Sequence, residues 1–230
     1  MKILIRIGVS VLMVFLLTVG ICYYVIGQET EVYTHFSKGL DFLNRGMLNE
    51  AIAEFNKAIE INPGYADAYN NRGLAYYYKG QYDQAISDYS KAIEINPRDI
   101  DAYNNRGNAY YRKGLYDQAL SDYNKVLEIN PRDADGYSNR GNIYDKKGQY
   151  DQAISDYSKA LEINPGYSYV YFNKAAVYEK AGRIQEAVEA YKSFIQYAPS
   201  QSPDTKRAKQ RIKELETKLP SPIHHRRAND

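Results

Sequence analysis

One asparagine recurs along the chain at a constant interval. Asn71, Asn105, Asn139 and Asn173 follow one another every 34 residues (105−71, 139−105 and 173−139). A carboxamide both donates and accepts hydrogen bonds, so a row of such groups can pair with the backbone of an extended peptide whatever its side chains are. Asparagine is also a mediocre residue inside a helix, where it lowers stability slightly. The row therefore predicts a peptide-binding surface, with the alternative that duplication has copied a solvated side chain.

The sequence around this row repeats with the same interval. Asn-Pro pairs place a proline every 34 residues (97−63, 131−97 and 165−131), and a proline without its asparagine continues the series at Pro199. A fixed period of this length is typical of a stacked array of supersecondary units. The sequence therefore predicts one elongated repeat domain.

Each repeat contains two stretches with helical periodicity. In residues 66–99 the first stretch places Tyr69, Arg72, Gly73 and Tyr76 on one helix face. The second stretch has the same helical spacing at Tyr82, Ala85, Ile86, Tyr89, Ala92 and Ile93. Gly80 suits the positive φ of a helix C-cap, and Pro97 ends the second helix. The expected unit is therefore helix, tight turn, helix, tight turn.

Neighbouring repeats must stack, because one pair of short helices cannot bury both apolar stripes. Stacking predicts a solenoid whose concave side is lined by the first helix of each repeat. Asn71 lies two residues after the packing Tyr69, which is about 200° around the helix. We therefore expect the asparagine row on the concave side.

The repeat resembles the tetratricopeptide repeat family. That motif has a small residue at its eighth position, aromatics at the eleventh and twenty-fourth, alanines at the twentieth and twenty-seventh, and proline at the thirty-second. The matching residues in 66–99 are Gly73, Tyr76, Ala85, Tyr89, Ala92 and Pro97. The resemblance implies an all-α, right-handed α-solenoid of helix-turn-helix repeats at 32–65, 66–99, 100–133, 134–167 and 168–201. It also implies a non-catalytic scaffold that binds a protein or peptide in its concave groove.

Two groove chemistries known from this family can be compared with the sequence. The asparagine row resembles the asparagine ladder of the O-linked N-acetylglucosamine transferases, which implies that the amides hold peptide backbone. A clamp for a C-terminal carboxylate is disfavoured, because the second position of successive repeats is acidic, at Asp67, Asp101 and Asp135. Further groove candidates are Tyr77, Tyr111, Asn108, Asn142, Arg112 and Lys146.

The N-terminal segment predicts export or membrane attachment. Residues 7–26 form a twenty-residue run without charge, long enough to span a bilayer core of about 30 Å. Lys2 and Arg6 precede the run, and Glu29 and Glu31 follow it, so the repeats are expected on the extracytoplasmic side, in the periplasm or at the cell exterior. Residues 1–27 are read as an uncleaved signal anchor, with a cleaved signal peptide or lipidation at Cys22 as alternatives.

The C-terminal segment predicts a capping helix over 202–219. Ser202 suits the N-cap and Pro203 the first helical position. The remaining residues, 220–230, are expected to form a disordered tail.

Several other functions are disfavoured by composition. A net charge of +2 does not indicate a nucleic-acid surface, and a single cysteine, Cys22, excludes a disulfide framework within the chain. We find no nucleophile–base constellation, metal cluster or phosphate loop, so neither an enzyme nor a cofactor is expected. His35 is interpreted as a structural residue of a divergent first repeat. Ser87, Asp88 and Lys91 are expected on an outer polar face.

Three function classes remain to be compared: an interaction scaffold, a self-associating homo-oligomer and an enzyme. The scaffold is favoured, because the repeats account for most of the chain. The structural role through end-to-end stacking is the alternative, although the capping helix disfavours it at the C-terminal end.

The charge pattern around residues 7–26 makes a testable prediction about topology. A periplasmic-type reporter enzyme fused after Asp230 should be active, and a reporter that works only in the cytoplasm should be inactive at the same position. The two fusions are compared by enzymatic assay in intact cells. Activity of the cytoplasmic reporter alone would overturn the orientation.

Overall fold

The computed structural model describes residues 27–219, and this part of the chain is all-helical. The helices are α1 (27–44), α2 (Leu48–Ile61), α3 (Ala66–Tyr78), α4 (Tyr82–Ile95), α5 (Ile100–Arg112), α6 (Tyr116–Ile129), α7 (Ala134–Lys146), α8 (Tyr150–Ile163), α9 (Ser168–Lys180), α10 (Ile184–Tyr197) and α11 (Pro203–Glu216). The chain divides into two compact units, an N-terminal unit that ends at Ala109 and a C-terminal unit that begins at Tyr110.

Glycine closes the turn inside each repeat. Gly80 has a φ of 73°, a left-handed conformation that only glycine adopts without strain. Its N–H donates to Tyr77 O at 2.9 Å, and the next N–H, that of Gln81, donates to Tyr76 O at 2.9 Å. These two bonds form a Schellman cap, which satisfies the last carbonyls of α3. The predicted helix end at Gly80 is therefore confirmed.

Proline and aspartate separate one repeat from the next. Helix α4 ends at Ile95, and Asn96 is already extended, as is favoured in a residue before proline. The Oδ1 atom of Asp99 then accepts a hydrogen bond from Ala102 N at 3.0 Å. This side-chain bond satisfies one of the free N–H groups at the start of α5.

The two helices of a repeat approach each other closely where an aromatic ring lies on a glycine. A methyl group added to Gly73 would stand 2.8 Å from Tyr89 Cε1, and one added to Gly141 would stand 2.8 Å from Tyr157 Cε1. Both tyrosines are almost fully buried. A Cβ atom at Gly73 or Gly141 would therefore displace the ring that fills the space between the helices, and the eighth position holds only a small residue, which is Ala175 in the last repeat.

A buried ion pair also joins the helices of a repeat, and it corrects one sequence-based expectation. Asp88 was expected on the outer polar face, yet only 6% of it is exposed. Arg72 donates to its carboxylate from Nε at 2.8 Å and from Nη2 at 2.7 Å. The third donor, Nη1, reaches Asn56 Oδ1 on α2 at 2.6 Å. The arginine thus links the second helix of its own repeat to that of the preceding repeat.

The C-terminal unit contains the same arrangement. Arg140 donates to Asp156 from Nε and from Nη2, both at 2.7 Å, and to Asn124 Oδ1 from Nη1 at 2.8 Å. The sequence pattern placed Asp88 on the polar face of its helix. It is buried nevertheless, because Arg72 on the packing face needs a carboxylate beside it. Ser87 is exposed, as expected.

The C-terminal end of the array is covered by α11. Ser202 Oγ accepts a hydrogen bond from Thr205 N at 3.1 Å, with Pro203 in the first turn. Ala208 and Leu215 of α11 are buried in a cluster with Val188, Tyr191 and Phe194 of α10. Helix α11 thus closes the apolar face of the last repeat.

The predicted membrane segment, residues 7–26, and the predicted tail, residues 220–230, lie outside the described residues. Within 27–219, none of the helices has both the length and the apolar character needed to cross a bilayer.

The buried ion pair predicts a large effect of removing its acid. Asp88→Ala should lower the free energy of unfolding by about 3 kcal/mol, because it leaves a largely buried guanidinium without its carboxylate. Asp67→Ala, which removes an exposed carboxylate in the first turn of α3, is the matched control and should cost less than about 1 kcal/mol. Urea unfolding followed by circular dichroism measures both. Equal losses would show that the pair does not stabilise the repeat.

Candidate functional site

In the N-terminal unit, the asparagine row is hydrogen-bonded within the protein. The Nδ2 atom of Asn71, which is half-buried, donates to Asp67 O one turn earlier on α3, at 2.8 Å. Asn105 on α5 donates to Asn70 Oδ1 on α3 at 3.0 Å. The amides of adjacent first helices are therefore close enough to bond to one another.

In the C-terminal unit, the amides form a three-residue network. Asn173 Nδ2 on α9 donates to Asn142 Oδ1 on α7 at 3.1 Å. The same oxygen accepts the hydroxyl of Tyr157 on α8 at 2.8 Å. Burial raises the pKa of Tyr157, which keeps the hydroxyl protonated as a donor. The tyrosine therefore fixes the orientation of the Asn142 amide, with its N–H2 group left for other acceptors.

This network borders an open hollow of about 260 Å³. We call it the inner hollow, and its lining residues are Tyr111, Asn142, Asp145, Lys146, Tyr157, Tyr169, Asn173 and Ala176. Tyr169 is 55% exposed at its rim. Lys180 donates to Asp145 at 2.6 Å, so that this carboxylate is already paired. The hollow thus combines amides with tyrosine rings and one further cation, Lys146.

Asn139 lies one turn before Asn142 on α7 and is half-buried. Its side chain makes no hydrogen bond to any residue within 27–219. It is therefore available to a ligand beside the inner hollow.

The other predicted groove residues are distributed between the two units. Tyr77 packs edge-on against Tyr82 of α4, with ring centroids 5.4 Å apart, and so contributes to the packing of its helix pair. Asn108 is half-buried and Arg112 is exposed. The structure brings four sequence-predicted residues together at the inner hollow, namely Tyr111, Asn142, Lys146 and Asn173.

Two tyrosines that line the inner hollow were not among the residues predicted from the sequence. Tyr157 occupies the aromatic twenty-fourth position of the packing motif, and the ninth position of its repeat is Asn142, where repeat two has Leu74. Tyr169 replaces the aspartate that the three preceding repeats carry at their second position. In the first case the signal was a difference between repeats, since repeats three and four carry Asn108 and Asn142 at the ninth position. In the second case it was a departure of repeat five from the three repeats before it.

His35 belongs to a charged cluster of the first repeat. Its Nδ1 atom lies 2.6 Å from Glu54 Oε2, and Lys57 donates to Glu54 Oε1 at 2.6 Å. The hydrogen bonds from His35 and then from Lys57 lower the pKa of Glu54. The histidine thus has a structural partner, and no group of three or more His, Cys, Asp or Glu side chains suited to a metal ion occurs within 27–219.

The Asn142 network predicts different effects of the same substitution in two repeats. Tyr157→Phe should lower the free energy of unfolding by about 1 kcal/mol, because it removes the hydrogen bond to Asn142. Tyr89→Phe should have no cost or should stabilise, because the Tyr89 hydroxyl is buried without a partner among the described residues. Urea unfolding of both variants measures the difference. Equal costs for the two would contradict the network.

Comparison with solved structures identifies the fold. A crystal structure of MamA superposes with a TM-score of 0.65 at 26% identity, over 74% of this chain and 96% of that chain. YrrB, described as a TPR protein with an unusual peptide-binding site, superposes with a TM-score of 0.65 at 22% identity, over 86% of this chain and 97% of that chain. These similarities establish a tetratricopeptide-type helical fold.

Sequence comparison gives the family. The chain is 42% identical over 45 residues to an uncharacterized protein of Methanocaldococcus jannaschii, a match that covers 20% of this chain and half the length of that protein. Family models described as TPR repeat match residues 39–79 and 73–114, and models described as tetratricopeptide repeat match 100–133, 134–167 and 157–189. Proteins with these repeats typically mediate protein–protein interactions and are generally non-catalytic. The chain belongs to the tetratricopeptide repeat family.

Proposed function

We propose that this protein is a non-catalytic scaffold that binds an extended peptide segment of a protein partner at the first helices of its repeats. The observation that carries the proposal is the amide network of the inner hollow, where Tyr157 orients Asn142 and Asn173 lies beside it. An oriented amide is a better ligand for peptide backbone than a free one, because less side-chain entropy is lost on binding. The description of YrrB as peptide-binding supports the same class of partner.

The chemistry of the hollow suggests how a peptide would be held. The N–H2 group of Asn142, the carbonyl oxygen of Asn173 and both polar atoms of Asn139 can pair with successive backbone groups of an extended segment. The exposed ring of Tyr169, together with Tyr111, offers apolar surface for peptide side chains. Because these contacts do not depend on charge, the site should tolerate varied sequences, with Lys146 adding a preference for an acidic residue nearby.

We also propose that the repeats act outside the cytoplasm, tethered by or released from residues 7–26. The uncharged run and the flanking charges support this location. The partner would then be another exported or membrane-anchored protein.

The alternative function is a self-associating structural component of an envelope assembly. It is supported by Tyr33 on α1, which is 64% exposed and borders an open hollow with Val32, Ile61 and Tyr65. Light scattering of the full-length chain distinguishes the two functions, since a monomer at all concentrations excludes self-assembly.

Peptide selection tests the scaffold function. Peptides selected from a random library on the immobilised full-length chain should lose affinity for the Asn139→Ala/Asn173→Ala variant. Two backbone hydrogen bonds of about 1 kcal/mol each correspond to a loss of roughly thirtyfold. Fluorescence anisotropy measures the Kd, and circular dichroism checks that helicity is unchanged.

The matched control is Gln152→Ala, which removes an exposed carboxamide from α8 in the same repeat. This variant should bind like the original chain. If the double variant keeps full affinity and full helicity, the amides do not hold the peptide and the proposal fails.

A further inference from the structure

The last repeat breaks the arginine–aspartate pairing that joins the helices of earlier repeats. The residues that correspond to Arg140 and Asp156 one repeat later (140+34 and 156+34) are Lys174 and Ala190. The cationic residue is retained, whereas the carboxylate has been replaced by a methyl group. The cation therefore lies between α9 and α10 without the partner that its equivalents have.

Lys174 has no substitute partner within the described residues. It is half-buried and makes no ion pair or hydrogen bond within 27–219. Its ammonium lies 5.6 Å from the centre of the Tyr178 ring, which Arg183 also contacts, at 4.8 Å. Burial, and then repulsion from Arg183, lower the pKa of Lys174.

The carboxylates around Lys174 are engaged elsewhere. Glu186 accepts from Arg183 at 2.6 Å, Glu189 accepts from Gln185 at 3.1 Å, and Glu162 accepts from Lys159 at 2.7 Å. Only Glu162 favours the charged form of Lys174, and it does so by Coulombic attraction without a direct bond.

Space remains where the missing carboxylate would be. An open hollow of about 190 Å³ lies between α9 and α10, room for a carboxyl group and several waters at about 30 Å³ each. Lys174 and Ala190 line it together with Tyr171, Tyr178, Glu186, Glu189 and Ser193, and the Glu186 carboxylate is neutralised by Arg183. We call this the Lys174–Ala190 site.

We propose that the Lys174–Ala190 site binds a carboxylate group that comes from outside the chain. The incoming carboxylate takes the place that Asp88 and Asp156 occupy in their repeats and pairs with the Lys174 ammonium. The carboxylate is that of a free small acid or of an aspartate or glutamate side chain on a bound protein. The site does not depend on the inner hollow, so failure of either proposal leaves the other intact.

The physical reason is the cost of an unpaired, partly desolvated charge. An ammonium removed from water regains stability when a carboxylate forms a charge-assisted hydrogen bond with it. The internal copies show that this fold accommodates a carboxylate at that position, with two donors at 2.7 Å in the Arg140–Asp156 pair. Since Lys174 is not fully buried, a ligand can reach it without unfolding of the repeat.

Nuclear magnetic resonance of the lysine side chains in the full-length chain tests the site. The Lys174 signal is assigned by its loss in Lys174→Met, and its pKa is measured with increasing sodium acetate against sodium chloride of equal ionic strength. Bound carboxylate should raise the pKa of Lys174 by about 1 and saturate. The exposed lysines should show no saturating change.

A second probe distinguishes the sources of the carboxylate. Saturation by acetate indicates a free small acid, whereas saturation only by a capped Gly-Asp-Gly peptide indicates an acidic side chain. Both results support the site. Absence of a saturating response to either probe overturns it.

Two variants sharpen the test. Ala190→Asp restores the carboxylate of the earlier repeats, so the pKa of Lys174 should already be raised and neither probe should change it. Glu189→Gln removes the lining carboxylate that has no cationic partner and should strengthen acetate binding. A response that persists unchanged in Ala190→Asp would show an adventitious ion only and would overturn the proposal.

Thermal stability provides a second test of the site, which does not require the Ala190→Asp variant. Acetate should raise the Tm of the original chain above that in chloride at equal ionic strength, and this difference should disappear in Lys174→Met. The same difference in both proteins would count against the site.

Discussion

The contact of an aromatic ring with a glycine sets the distance between the paired helices on which the repeat depends. Tyr89 on Gly73 and Tyr157 on Gly141 leave no room for a Cβ atom, so the backbones approach as closely as the ring allows. At this separation the arginine of the first helix reaches an aspartate of the second, as Arg72 reaches Asp88. The same packing carries the tyrosine hydroxyl to the first helix, where Tyr157 meets Asn142. Tyr157 therefore contributes both to the packing of its helix pair and to the candidate peptide-binding site.

The period of the sequence was enough to predict the helices and their ends, because each end depends on a local conformational restriction. Gly80 permits a positive φ that other residues avoid, and Pro97 cannot continue a helix. The pairing of Asp88 with Arg72 could not be predicted from the periodicity. A helical pattern separates polar from apolar faces, but it does not show which polar residue contacts a buried cation. The Asn142 network was likewise missed because it joins three helices, and only its difference from Leu74 in repeat two marks it in the sequence.

Near-identical repeats make their exceptions informative. The other copies show which contact a position makes when its partner is present. Leu74 stands where repeat four has Asn142, so Tyr89 lacks an acceptor. Ala190 stands where repeat four has Asp156, so Lys174 lacks a carboxylate. In one case the result is a buried hydroxyl without an acceptor among the described residues. In the other it is the half-buried ammonium of Lys174 beside a hollow. There, in our proposal, an external carboxylate takes the place of the missing aspartate.

The central proposal is that side-chain amides of the first helices hold the backbone of a bound peptide. Side-chain amide resonances of the ¹⁵N-labelled full-length chain, recorded with and without a selected peptide, test it most directly. We predict that the N–H2 signals of Asn139, Asn142 and Asn173 shift on binding, while that of Gln152 stays in place. Peptide binding that shifts outer amides and leaves these three unchanged would contradict the proposal.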